Sequence, residues 1–210
     1  MAFRAVIFDL GGVVFPSPFE AFDAYDHGND LKKGTMRSLI RTSSETGAWA
    51  ALERGELSMD EFVAALEAEA LAAGFQLDAR RLMGLIGSSL GPRPEMTRAI
   101  ERIRASGLRT GALTNNWADD GTRSSPSGLR ETGLFDVIVE SAVEGLRKPD
   151  PRIYTLALAR LNVLASETVY LDDLGMNLKP ARDMGIRTIK VVDPDVALAE
   201  LETILDLVLR

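Results

Sequence analysis

The chain of 210 residues contains no cysteine and a single histidine, His27. Without cysteine there are no disulfides, no thiolate zinc sites and no thiol nucleophile, and one histidine cannot build a multi-histidine metal centre. A Ser-His-Asp triad would have to use His27, which stands in the polar run Asp26-His27-Gly28-Asn29-Asp30 and reads as a solvated loop or helix-end residue. No apolar stretch approaches the length of a membrane span. The N-terminal segment does not read as a signal peptide, because Arg4 and Asp9 interrupt it and no adequate apolar region follows. There is no low-complexity tract and no block of like charges. A net charge of −7 disfavours nucleic acid or an anionic membrane as the main partner. The expectation is a cytoplasmic protein whose chemistry runs on carboxylates, lysine, hydroxyls and a hard metal.

What is present is an ordinary globular composition, 46% apolar and 26% charged. The length suffices for one core, with room for a small second lobe. Ala5-Val6-Ile7-Phe8 reads as a short buried strand, followed at once by Asp9 and the pair Gly11-Gly12. Further strand patterns recur at 109–114, 136–139, 168–171 and 186–192. Helical patterns separate them: Pro94 to Ser106 before Gly107, Asp150-Pro151 to about Leu161, Leu178 to Met184, and Asp195 to Leu209. This alternation predicts an α/β fold with a doubly wound, parallel, Rossmann-like sheet. Residues 16–92 break the rhythm. They hold no convincing strand, and Ser58 with Glu61 fits a capping box that opens a helix. An α-helical cap inserted after the first strand is therefore expected over 16–92. Pro16-Ser17-Pro18 and Gly91-Pro92 read as its hinges, and 1–15 with 93–210 as the catalytic core.

Chemistry-bearing groups fall at or just beyond strand ends, where open α/β sheets place their ligands. Asp9 follows the first strand and Thr114-Asn115-Asn116-Trp117 the second. Lys148-Pro149-Asp150-Pro151 precedes a helix, and Asp172-Asp173-Leu174-Gly175-Met176-Asn177 follows the fourth strand. Each group alone is weak, since Asn and Asp in loops commonly cap helices or make turns. Their order, and their shared placement behind Asp9, lifts them together.

In that order the phrases FDLGGVVFPSP, LTNNW, GLRKPDPRIY and YLDDLGMNLKPARDMG resemble the haloacid dehalogenase superfamily over residues 3 to 192. Within it they are most similar to the N-terminal phosphatase-type domains of soluble epoxide hydrolases and of acyl-CoA dehydrogenase family member ten. The resemblance implies a hydrolase, specifically a Mg²⁺-dependent phosphatase of a small organic phosphate. Asp9 would be the nucleophile that forms an aspartyl-phosphate, splitting one difficult step into two. The implied metal ligands are Asp9, the Gly11 carbonyl and Asp173. Asp172 stands beside them as the alternative ligand, or with Asn177 as a holder of water ligands or of Lys148. Lys148 would supply the second positive charge, with Pro149 holding its backbone extended. Thr114, Asn115, Asn116 and Gly12 would bind the phosphoryl oxygens. Trp49, Trp117, Phe15 and Phe19 are candidates to line the cleft, or else ordinary core aromatics.

One position departs from the family pattern. Most family phosphatases carry Asp where this chain has Gly11, and that side chain protonates the leaving oxygen and then activates water. General acid–base catalysis typically contributes about 10² to 10⁴ in rate. Three consequences stay open: slow turnover of poor leaving groups, another donor such as Asp172 or a substrate group, or a site that binds phosphate without turnover. Two other readings remain beside the phosphatase. A 2-haloacid dehalogenase uses the same Asp attack on carbon and no metal, and a degenerate phosphate-binding or regulatory domain would explain Gly11. The Asp172-Asp173 pair favours the metal.

Overall fold

The computed structural model describes residues 2–42, 45–88, 91–117 and 133–210. Small parts of the expected cap and core, 43–44, 89–90 and 118–132, lie outside the described residues. Five parallel strands form one sheet in the order β3-β2-β1-β4-β5: β1 is Ala5–Phe8, β2 Arg109–Thr114, β3 Val137–Glu140, β4 Thr168–Asp172 and β5 Arg187–Lys190. All four residues of β1 are buried, as the unbroken apolar run requires of a strand covered on both faces. Val6 and Phe8 point into one layer, with Met96, Ile100 and Ile103 of α6 (Pro94–Ala105) and Leu198 and Leu201 of α10 (Pro194–Leu205). Ala5 and Ile7 point into the other, with Tyr154 and Leu161 of α8 (Pro151–Leu161) and Leu178 and Ala181 of α9 (Gly175–Asp183). The strand order reverses between β1 and β4, so the crevice that such sheets offer ligands opens at the carboxyl ends of those two strands.

Between β1 and α6 run helices α1 (Pro18–Gly28), α2 (Thr35–Thr42), α3 (Ala48–Glu53), α4 (Met59–Ala72) and α5 (Ala79–Gly87). They bury an apolar cluster of their own, including Phe22, Leu52, Phe62, Leu66 and Leu82 around Trp49. Trp49 meets Phe22, Phe62 and Trp117 edge-on, with ring centroids 5.3, 5.7 and 6.4 Å away. Trp49, Phe19 and Trp117 therefore belong to this helical core, and Phe15 packs on the main one.

Several local readings are corrected by tertiary context. The stretch read as a hinge, Pro16-Ser17-Pro18, also starts a helix: Ser17 caps α1 in a capping box with Glu20, and Pro18 takes the first helical position. The capping box of Ser58 and Glu61 forms as expected. His27 ends α1 on an exposed surface. Helix α9 begins at Gly175, three residues before the expected start, so Asn177 sits in its first turn rather than in a loop. Helix α10 stops before Asp206, whose φ of 53° ends the helical path, while Leu209 beyond it is still buried. Among the described residues no helix is long and apolar enough to cross a membrane.

Candidate active site

Asp9 directly follows β1, and its N–H still donates to the Leu171 carbonyl of β4 at 2.8 Å. The pairing therefore holds the backbone one residue beyond the strand, exactly where the chain leaves the sheet for the crevice. The Leu10 N–H donates to Asp9 Oδ1 at 2.7 Å, and Lys148 Nζ meets the same oxygen at 2.7 Å. Lys148 also meets Asp172 Oδ2 at 2.8 Å. The lysine is 1% exposed, so its ammonium bridges two carboxylates out of water.

Asp172 is the most enclosed acid. Leu174 N donates to its Oδ1 at 2.8 Å, and Asn177 Nδ2 lies 3.1 Å from each of its oxygens. The Tyr170 hydroxyl donates to Oδ2 in a short hydrogen bond. Tyr154 secures the helix start by donating to the Asn177 carbonyl at 2.8 Å. Asp172 and Asn177 thus hold Lys148, which is one of the two roles read for them. Asp173 turns elsewhere. A Cβ placed on Gly12 would lie 2.3 Å from Asp173 Oδ2, and Gly12 has a φ of +80°. Only glycine allows the loop after β1 to approach this carboxylate so closely. Ser17 adds a side-chain hydrogen bond to Asp173.

Asp9, Asp172 and Asp173 each offer a carboxylate oxygen, and these atoms lie within 4.8 Å of one another. The electrostatics follow. Burial pushes the Asp9 carboxyl well above its usual range, Lys148 opposes this, and Asp172 and Asp173 add to it. Asp173 is pushed up to about 6, by burial and then by Asp172. Burial alone would lower Lys148, but Asp172 and Asp9 outweigh it and its pKa is raised, so the amine stays charged. Three acids thus share one ammonium. A set of oxygen ligands with surplus negative charge suits a small hard divalent cation.

Thr114 ends β2, its hydroxyl donating to the Asn115 carbonyl at 3.3 Å. The asparagines behave differently from expectation. The Asn115 side chain accepts from Lys148 N at 2.8 Å and donates to Lys148 O at 3.1 Å. Asn116 Nδ2 donates to Glu140 Oε1 at 2.9 Å, and its N–H donates to Ser141 Oγ at 2.9 Å. Both side chains are committed to protein partners, because two consecutive strand ends must be tied together here. A phosphoryl role for Asn115 would therefore fall to its main chain, whereas the Asn116 N–H is itself taken by Ser141. Pro149 follows Lys148 through a cis peptide bond. Gly11 has no positive φ, and a Cβ there would meet only Pro18, at 3.3 Å from its Cδ.

Tyr170 and Glu53 were not singled out from sequence. Tyr170 could have been found, since it stands two residues before Asp172 on one strand and so shares its face. Glu53 carried no signal. It is buried at the end of α3 and reaches Arg147 and Asn115 across the fold.

The sheet order, the crevice and the acid–lysine cluster define a carboxylate-centred site on a doubly wound α/β fold, and comparison with known proteins gives it a family. A signature of haloacid dehalogenase-like hydrolases matches residues 3–185. The chain belongs to that family and is a hydrolase. It is 40% identical to mouse acyl-CoA dehydrogenase family member 10 over 97% of its own length and 19% of that protein. It is 33% identical to pig bifunctional epoxide hydrolase 2, over 97% of its own length and 39% of that protein. The chain therefore spans well under half of these relatives. A sesquiterpene phosphatase of Aspergillus oryzae is matched over 95% of both chains at 31% identity. Among solved structures, a family enzyme from Bacteroides thetaiotaomicron in complex with magnesium and inorganic phosphate superposes with a TM-score of 0.61 at 15% identity, over 90% of this chain and 94% of that one. An L-2-haloacid dehalogenase from Xanthobacter autotrophicus reaches the same TM-score, 0.61, at 19% identity over 96% of this chain and 82% of that one. The shared fold therefore does not discriminate between the two chemistries.

Proposed function

We propose that this chain is a Mg²⁺-dependent phosphatase of small organic phosphates, acting through an aspartyl-phosphate on Asp9. The observation that carries the reading is the surplus of charge: three clustered carboxylates against one buried ammonium. A dehalogenase, which works without metal, has no use for that surplus. The phosphatase among the full-length relatives supports the same choice.

Asp9, Asp173 and the Gly11 carbonyl would hold the cation, with Asp172 kept on Lys148. When bound, Mg²⁺ supplies charge neutralisation for the phosphate and its carboxylate neighbours. Leu10 N–H and Lys148 both meet Asp9 Oδ1, which leaves Oδ2 for attack. That oxygen forms a bond to phosphorus while the ester P–O bond breaks, and the leaving alkoxide takes its proton from solvent water, since Gly11 carries no acid; the water consumed in the second step returns that proton to solvent. Water then attacks phosphorus and the bond to Asp9 breaks, restoring the carboxylate. Lys148 and the Thr114 hydroxyl would stabilise charge on the transferring group. The helical insertion serves as a cap that shields the site and selects substrate.

The test is hydrolysis of p-nitrophenyl phosphate with Mg²⁺ and with EDTA, beside chloride release from 2-chloropropionate. Turnover that requires Mg²⁺ is expected. Metal-independent chloride release would replace this reading with the dehalogenase, and phosphate binding with no turnover would replace it with a binding domain.

Asp173 gives a pH prediction. Its folded pKa of about 6 lies above the unfolded value near 3.9. The metal-free folded state is thus penalised above pH 6, and the penalty fades as pH falls and Asp173 keeps its proton. Asp173→Asn should raise the metal-free Tm at pH 8, by roughly 2–4 °C, and leave it unchanged near pH 4. The wild-type affinity for Mg²⁺ should fall as pH drops through 6, read by isothermal titration. A Tm rise that persists at pH 4 would remove the electrostatic cause.

Gly11→Asp gives a second. The backbone admits a side chain there, and Pro18 need shift only by a few tenths of an ångström. Restoring the missing acid should raise kcat on alkyl phosphates by about 10-fold or more, and less on p-nitrophenyl phosphate, whose leaving group needs no proton. A slower but folded variant would show that proton transfer does not limit the rate.

A further inference from the structure

We propose that Glu53, on the helical insertion, is the positioning residue that fixes the backbone of Lys148 and so couples the seating of the insertion to the charge at the site. The inference rests on the reading of Lys148 as a working group of the reaction.

The geometry is a short relay. Lys148 can bridge Asp9 and Asp172 only if its Cα is held still, because a long side chain otherwise samples many rotamers. Its N–H and C=O are both held by the Asn115 side chain, at 2.8 and 3.1 Å. The second proton on Asn115 Nδ2 goes to Glu53 Oε2 at 3.3 Å. The same Glu53 oxygen accepts from Arg147, the residue before Lys148, with Nε at 2.7 Å and Nη2 at 2.6 Å. Glu53 therefore grips the 147–148 segment twice, once through Arg147 and once through Asn115. A carboxylate at this point can only accept, which also fixes the Asn115 amide with its oxygen toward Lys148 N.

The other end of Glu53 is anchored in the insertion. Oε1 accepts from the Trp49 indole one helical turn earlier, at 2.9 Å, and Trp49 lies at the centre of the insertion's aromatic cluster. Two residues on, Gly55 has a φ of +69°, and a Cβ there would lie 2.4 Å from the Ala142 carbonyl of α7 (Ser141–Glu144). The turn after α3 thus sits directly on the backbone beyond β3. Glu53 is itself buried, with side-chain exposure of 10% against 17% for Arg147, so the pair is formed out of water and its geometry is enforced. A buried acid that served stability alone would need only Arg147. This one also orients the amide that carries Lys148.

Glu53→Gln tests the relay. Glutamine keeps the shape, but its single oxygen cannot accept from both the indole and the Arg147–Asn115 side, so its amide nitrogen faces a donor. With p-nitrophenyl phosphate and Mg²⁺, kcat should fall about 10- to 100-fold while KM changes by less than about threefold. Glu53→Asp, which keeps the charge, should recover part of the loss. Independently of turnover, Lys148 should be protected from acetic anhydride in the wild type. In Glu53→Gln its labelling, quantified by peptide mass spectrometry, should rise at least about fivefold at a temperature where circular dichroism shows a folded protein. Asn115→Ala should reproduce that rise, because it cuts the relay between Glu53 and Lys148. Unchanged labelling in both variants overturns the inference, whatever happens to kcat. A wild type with no Mg²⁺-dependent turnover sinks the phosphatase reading instead, and the labelling result still decides the role of Glu53.

Discussion

Asp9→Asn should abolish phosphate-ester hydrolysis, with kcat lowered on the order of 10⁴-fold or more, while the folded protein is at least as stable as the wild type at neutral pH. The two halves have one cause. Burial, Asp172 and Asp173 press the Asp9 carboxyl well above its usual range, with Lys148 as the opposing cation. An amide in its place removes the oxygen that attacks phosphorus and also one charge from the cluster. It can still accept from Leu10 N–H and Lys148 through its own oxygen. The sign follows from the raised carboxyl: the metal-free wild type carries a penalty at neutral pH that the variant lacks, and the difference closes as pH falls and Asp9 is protonated. Thermal unfolding in EDTA at pH 8 and pH 4, beside single-turnover kinetics with Mg²⁺, measures both. Stability lost together with activity would mean that Asp9 is chiefly a structural partner of Lys148.

Lys148→Met should be damaging on both counts. The ammonium is buried between Asp9 and Asp172 at 2.7 and 2.8 Å. Removing it leaves two enclosed carboxylates without their cation, a loss of about 3–5 kcal/mol by analogy with other broken buried pairs. The hydrogen bonds from Tyr170, Asn177 and Leu174 still serve Asp172, so part of the site survives. Activity should fall about 10²- to 10³-fold, as for the loss of one preorganised charge stabiliser. The deficit in stability should shrink as pH falls, because the raised Asp9 takes a proton in the folded state. Chemical denaturation at pH 8 and pH 5 reads this directly. A deficit that is the same at both values would show that the methionine disturbs packing, and that electrostatics is not the cause.

The sheet and the acids at its edge were legible early because both are local. A strand covered on both faces must be apolar throughout, and Ala5 to Phe8 is. The chain must turn directly after it, and Gly11 and Gly12 follow. Asp150-Pro151 and Ser58 with Glu61 announce helix starts through bonds that span only a few residues. The parallel order follows from the alternation of strands and helices. Element ends were read less well. Helix α9 starts early because Asp172 accepts from Leu174 N–H and Asn177 Nδ2 within five residues, a constraint that no hydrophobic period reveals.

The sequence by itself determined the fold class, the family and the acids and lysine from which a site can be built, since each of these follows from local pattern or from residue types in a fixed order. Only the tertiary structure decided how they divide the work. Asp172 faces Lys148, Tyr170 and Asn177, while Asp173 faces Gly12 and Ser17. These two neighbours alternate along the chain and point to opposite partners, so composition and order cannot tell them apart. Trp49, Phe19 and Trp117 pack into the insertion's apolar cluster and Phe15 onto the main core, which their types alone do not announce. Glu53 became a neighbour of Lys148 because two segments about ninety residues apart in the chain meet across the crevice. A carboxylate at the end of a short helix has no property of its own that announces such a meeting.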